Sequence, residues 1–120
     1  MRILLIEDDP DLGPVTAELL AQLGHEPTLA TNLDEGFARV VADAAYAVIV
    51  LDLQIGGYRG EMLVRRLLKA QRSVPPLILF SALPLEDIRR SAAELGAGAI
   101  VQKPATKERF SAALARIARN

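Results

Sequence analysis

The stretch Ala47-Val48-Ile49-Val50-Leu51-Asp52 decides how this chain is read. Five apolar residues run straight into one carboxylate. A short apolar run rich in β-branched residues predicts a strand buried on both faces, as in the middle of a parallel sheet. Asp52 then stands at the carboxyl edge of that sheet, where open α/β folds bind their ligands. Aspartate also starts turns, so the two readings of Asp52 have to be weighed against the rest of the chain.

Working outward, Ile3-Leu4-Leu5-Ile6 is a second fully apolar run, and it ends in Glu7-Asp8-Asp9. Asp9 before Pro10 is a good helix cap. Glu7 and Asp8 have no such explanation. The helix that follows is expected to bury Leu12, Val15, Leu19 and Leu23 and to stop at Gly24. Pro14 either distorts its first turn or moves its start to near Gly13. A weak strand over residues 25–30 contains Pro27, which confines it to a sheet edge or a strand start. Asn32 caps the second helix, with Glu35 at capping-box spacing. Phe37, Val40 and Val41 form its buried face, and Gly36 allows close packing on the sheet.

After Asp52, three glycines between Leu53 and Gly60 mark a loop with unusual backbone angles. The third helix is expected to turn Met62, Leu63, Leu67 and Leu68 inward and Arg65, Arg66 and Lys69 outward, as a solvated face. Leu77-Ile78-Leu79-Phe80 is a buried strand ending at Ser81. Pro84 opens a helix that buries Ile88, Ala92 and Leu95 and ends at Gly96. Ala99-Ile100-Val101 is a short last strand, followed by Gln102-Lys103-Pro104. The last helix, over residues 106–119, buries Phe110, Ala113, Leu114 and Ile117.

Five strands alternating with five helices predict an α/β fold: a doubly wound, five-stranded parallel sheet with helices on both faces. The flavodoxin-like order 2-1-3-4-5 puts the Pro27 strand at an edge and makes strands one and three neighbours. At 120 residues, 51% of them apolar, the chain suffices for one domain. A net charge of −1 points to neither nucleic acid nor an anionic membrane, and the absence of cysteine excludes disulfides and thiol chemistry. No apolar run approaches the ~18 residues of a membrane span. A cytoplasmic location is the expectation.

Parallel strands bring their carboxyl ends to one edge, so Glu7, Asp8, Asp52, Ser81 and Lys103 converge. Carboxylates gathered there raise one another's pKa, and a divalent cation relieves the repulsion. An all-oxygen set suits Mg²⁺. Lys103 adds a positive charge able to stabilise a transferring phosphoryl group, Ser81 adds a hydroxyl, and Asp52 is the best candidate nucleophile.

With these residues in place, the chain resembles the response-regulator receiver domains of bacterial two-component signalling. The resemblance runs from Ile3-Leu4-Leu5-Ile6-Glu7-Asp8-Asp9 through Val50-Leu51-Asp52 and Phe80-Ser81-Ala82 to Lys103-Pro104. The separations are 44 residues from Asp8 to Asp52, 29 to Ser81 and 22 to Lys103. It implies that Asp52 accepts a phosphoryl group from a phosphohistidine on a sensor histidine kinase or a histidine phosphotransfer protein. It implies an acid pocket of Glu7 and Asp8, with Asp8 the more direct Mg²⁺ ligand and the Gln54 backbone carbonyl a further one. Ser81 and Lys103 would then hold the phosphoryl oxygens, and the Lys103–Pro104 bond would be cis. Asp9 is read as a cap rather than a ligand, and His25 as a surface residue.

Two departures from the family pattern stand out. Ile100 occupies a position that is often aromatic, and Gly56 one that is often proline, which predicts a more mobile loop. The expected activity is that of a signalling domain that catalyses its own aspartyl phosphorylation and dephosphorylation, and presents the result to a downstream protein partner or output domain. Residues 1–120 are expected to be a single domain with no output domain, from a stand-alone regulator or a longer protein. The alternative is a phosphorylation-independent interaction module on the same fold. A flavin binder is disfavoured by the acidic first loop and the scarcity of aromatics. An aspartyl phosphatase is disfavoured by Gln54, where a second acid belongs.

Overall fold

The structure is a computed structural model that describes residues 1–43 and 45–119. Among the described residues, seven strands and five helices follow in the order β1 (Arg2–Ile6), α1 (Leu12–Gln22), β2 (Glu26–Ala30), α2 (Leu33–Ala42), β3 (Val48–Asp52), β4 (Gln54–Ile55), β5 (Tyr58–Arg59), α3 (Glu61–Lys69), β6 (Leu77–Ser81), α4 (Leu85–Leu95), β7 (Ala99–Gln102) and α5 (Lys107–Arg119). Five of the strands make one parallel sheet in the order β2-β1-β3-β6-β7. Counting those five alone, this is the predicted 2-1-3-4-5. Pro27 pairs with Ile3 on the edge strand β2, where its missing N–H costs no ladder bond on a second side.

Successive residues of the central strands feed opposite cores. Leu4, Ile6, Ile49, Leu51 and Leu79 join Val40, Leu63, Leu67 and Ile88 in a core under α2, α3 and α4. Ile3, Leu5, Val48, Val50 and Phe80 join Leu20, Phe110, Leu114 and Ile117 in the core under α1 and α5. This is why β3 reads as an unbroken apolar run: neither face is solvated. The rings of Phe80 and Phe110 meet edge to face at 5.3 Å.

The local signals correspond to visible causes. The Asn32 side chain accepts the Glu35 N–H at 2.7 Å, and the Glu35 carboxylate reaches back to Thr31. Asp9 Oδ1 accepts the N–H groups of Asp11 at 2.8 Å and Leu12 at 2.9 Å, so Asp9 caps α1 from three positions before Leu12. Gly13 and Val15, on either side of Pro14, donate to the carbonyls of Asp9 and Asp11, so Pro14 leaves out one bond of the first turn, the one to the Pro10 carbonyl.

Three side-chain expectations need correction. In α1 the buried residues are Gly13, Thr16 and Leu20, and Val15 is 63% exposed. A Cβ on Gly13 would lie 3.2 Å from Leu29, so the helix comes nearest the sheet along its small residues, which turns Val15 away. In α3 the buried residues are Glu61, Leu63, Val64 and Leu67, while Met62 and Leu68 are exposed. The residue before α3, Gly60, donates its N–H to the Leu53 carbonyl and seats directly on the carbonyl oxygen of Asp52. That contact sets the rotation of the helix. The loop after Asp52 folds as a two-stranded antiparallel ribbon of β4 and β5. Gly56 and Gly57 turn it with φ of 55° and 82°, the pair of positive angles a tight hairpin requires.

Candidate functional site

The carboxyl ends of β1, β3, β6 and β7 meet on one edge of the sheet. Glu7 follows β1, Asp52 ends β3, Ser81 ends β6 and Lys103 follows β7. Glu7, Asp52 and Ser81 are buried, and Asp8 is exposed at the mouth. Oxygens of Glu7, Asp8 and Asp52 lie within 4.8 Å of one another. Lys103 Nζ donates to Glu7 Oε1 and to Asp52 Oδ2, each at 2.7 Å, and lies 4.7 Å from the centroid of the Phe80 ring. The other Asp52 oxygen accepts the Gln54 N–H at 2.9 Å, and Asp8 Oδ2 accepts the Gly56 N–H at 2.7 Å. The hairpin thus holds two of the three acids by its backbone.

One cation serves three carboxylates, so the cluster keeps a surplus of negative charge. The surplus falls hardest on Glu7. Burial, and then the neighbouring Asp52 carboxylate, push its pKa up to about 7, and Lys103 only partly opposes them. For Lys103, burial works against the charge, but hydrogen bonds to Asp52 and Glu7 outweigh it and the pKa is raised. Asp9 is different in kind. The N–H groups of Leu12 and Asp11 hold its carboxyl below the usual range, and its oxygens are spent on the helix.

The predicted residues therefore meet, with one qualification. The Ser81 hydroxyl accepts the Leu83 N–H at 3.1 Å and makes no hydrogen bond to the acid cluster among the described residues. The Ser81 carbonyl takes the Lys103 N–H at 2.7 Å, which ties the two strand ends together. The Lys103–Pro104 bond is cis. His25 lies away from the site, its ring nitrogen 3.0 Å from the amino terminus. Three contributors were not foreseen: the Gly56 N–H on Asp8, the Phe80 ring beneath Lys103, and a buried Glu61 bonded to Arg59 at 3.0 Å. An acid at a helix start is so ordinary that nothing in the sequence marks Glu61 as buried.

The sheet thus gathers at one edge an acid pocket, a central aspartate, a buried hydroxyl and a lysine. Residues 3–115 match the model of the response regulator receiver domain, and the chain belongs to that family. It is 34% identical over 117 residues to the regulatory protein VirG of Agrobacterium tumefaciens, covering 97% of this chain and 42% of VirG. It is 30% identical over 118 residues to the phosphate regulon transcriptional regulatory protein PhoB of Pseudomonas aeruginosa, covering 98% of this chain and 51% of that protein. The chain thus spans about half the length of these curated relatives. Among solved structures, the non-phosphorylated HemR receiver domain of Leptospira biflexa superposes with a TM-score of 0.79 at 29% identity, covering 97% of this chain and 92% of that one. The chemotaxis protein CheY4 of Vibrio cholerae shares the fold with a TM-score of 0.84 at 19% identity, each chain covered to 97%. No helix among the described residues is long and apolar enough to cross a membrane.

Proposed function

We propose that Asp52 is the phosphoacceptor of this receiver domain and that Glu7, Asp8 and Asp52, with the Gln54 backbone carbonyl, hold Mg²⁺. One observation carries the reading: Lys103 Nζ bridges Glu7 and Asp52 at 2.7 Å each, inside an acid cluster that one cation cannot neutralise. The donor set is all oxygen and negatively charged, which fits a hard divalent cation. Bound there, Mg²⁺ would supply charge neutralisation for the incoming phosphoryl oxygens. The chain's own residues do the rest. An Asp52 oxygen attacks phosphorus, and the bond to the donor nitrogen of a phosphohistidine breaks, leaving its electron pair on the imidazole. Lys103 exchanges part of its carboxylate contact for a phosphoryl oxygen, and its strand-end position needs no rearrangement to do so. The Ser81 hydroxyl, buried one residue beyond Asp52's partner in the β3–β6 register, turns from Leu83 toward the phosphoryl group. The partners this implies are a sensor histidine kinase or a histidine phosphotransfer protein upstream, and a downstream protein or output domain.

The test is intact-mass spectrometry after incubation with Mg²⁺ and acetyl phosphate, with Asp52→Asn and an EDTA-treated sample alongside. A single phosphoryl adduct, absent from both controls, is the expected result. A folded wild-type protein that takes up no phosphoryl group would instead make the chain a phosphorylation-independent interaction module.

A further inference from the structure

The charge of this chain is segregated. Residues 1–52 hold ten acids and two bases, and residues 53–120 five acids and twelve bases. The sheet order keeps the halves apart: the first builds β2, β1 and β3, and the second builds β6 and β7. A molecule of net charge −1 is therefore strongly polar, and α3 lies in its basic half. Arg65, Lys69 and Arg72 are exposed there and make no ion pair among the described residues.

The same surface carries apolar side chains that the fold leaves uncovered. Of the five large apolar side chains exposed among the described residues, three lie on the β4–β5 ribbon and α3: Tyr58 at 61%, Met62 at 40% and Leu68 at 61%. At about 100° per residue, Met62 and Leu68 flank the Arg65–Lys69 ridge on either side. Tyr58 and Met62 wall a groove of about 290 Å³ against α2, floored by Ile55 and Leu33 and edged by Arg66. Tyrosine, methionine and arginine are the side chains that protein interfaces concentrate at their anchoring positions.

We infer that the groove between α2 and α3, with the basic ridge beside it, is a docking surface for an acidic amphipathic helix of a partner protein. An apolar side chain of the partner fills the groove against Tyr58 and Met62. Carboxylates one turn away face Arg65, Lys69 and Arg72. Charge complementarity selects this occupant, and the apolar groove selects a helix over a simple polyanion. Nucleic acid fits less well. The groove is lined largely by Leu33, Ile55, Tyr58 and Met62, and the Arg66 at its edge is already paired with Asp34, so it offers a phosphate chain little to bind. The groove adjoins the phosphorylation site at one point, where Gly56 donates to Asp8, and none of Glu7, Asp52 and Lys103 lines it.

The test is fluorescence anisotropy of the folded chain with three labelled probes: a helical peptide of glutamate and leucine with segregated faces, a polyglutamate of equal charge, and a duplex DNA. The inference expects the helical peptide to bind and polyglutamate to bind at least several-fold more weakly. Arg65→Glu with Lys69→Glu should weaken the peptide roughly tenfold. Met62→Ser should weaken it several-fold, and Lys107→Glu, on α5, should leave it unchanged. All are surface changes, and a Lys69→Gln variant gives a graded check if the double reversal perturbs the fold. Equal binding of the two peptides, tighter binding of DNA, or insensitivity to Arg65 and Lys69 would each overturn the inference.

Discussion

Gly60→Ala should be among the most damaging single-methyl additions in this protein, and the structure says why. The backbone is not the obstacle: Gly60 has φ −59° and ψ −27°, which alanine adopts freely. By restricting the unfolded chain, alanine would even stabilise by about 0.4–1 kcal/mol if there were room. There is none. The new Cβ would sit inside the van der Waals surface of the Asp52 carbonyl oxygen, 3.1 Å from the carbonyl carbon and 3.2 Å from Leu51 Cγ. The first two are backbone atoms of a strand bonded on both sides, so no rotamer relieves the overlap. Overpacking costs about 1–3 kcal/mol even where side chains can give way. The net effect should be a loss of about 2 kcal/mol or more. Gly36→Ala is the control. Its Cβ would come 2.7 Å from Ile6 Cδ1, the far end of a flexible side chain, while the helix interior gains about 1 kcal/mol. Urea denaturation of the two variants should give a near-neutral Gly36→Ala and a destabilised Gly60→Ala. Phosphorylation by acetyl phosphate should also slow in Gly60→Ala, because the strand end that moves carries Asp52. A Gly60→Ala protein as stable as wild type would refute the claim that this contact sets the position of α3.

Further outcomes follow from the site and the caps. Lys103→Met leaves two buried carboxylates without their cation and should cost about 3 kcal/mol at pH 8; the loss should shrink at pH 6, where Glu7 takes up a proton, and urea melts at both pH values would measure the difference. Because folding raises the Glu7 pKa to about 7, the folded chain holds a proton that the unfolded chain releases from about 4.5 upward. Its contribution therefore weakens stability as pH rises through that window, and thermal melts in EDTA between pH 5 and 8 should show the slope in wild type and not in Glu7→Gln. Asn32→Ala removes the bond to the Glu35 N–H and should cost about 1 kcal/mol, read from the urea midpoint.

Much of this protein was written in its patterns. The unbroken runs 3–6, 48–51 and 77–80 meant strands covered on both faces, because only such strands have no polar side to show. Alternation with helices meant a parallel sheet, and a parallel sheet obliges every strand to deliver its last residue to the same edge. That is why Glu7, Asp8, Asp52 and Lys103 could be brought together on paper. Pro27 marked the edge strand for an equally local reason, its missing donor. What could not be read were properties of helix rotation and close approach. Whether Val15 or Thr16 faces the sheet depends on Gly13 meeting Leu29. Whether Met62 lies in or out depends on Gly60 resting on the Asp52 carbonyl. The burial of Glu61 against Arg59, and the hairpin that lends Gly56 to Asp8, likewise come from contacts between distant segments. Composition and period report which residues prefer water; the angle at which a helix meets the sheet is set by the atoms that touch there, and only the assembled fold contains those.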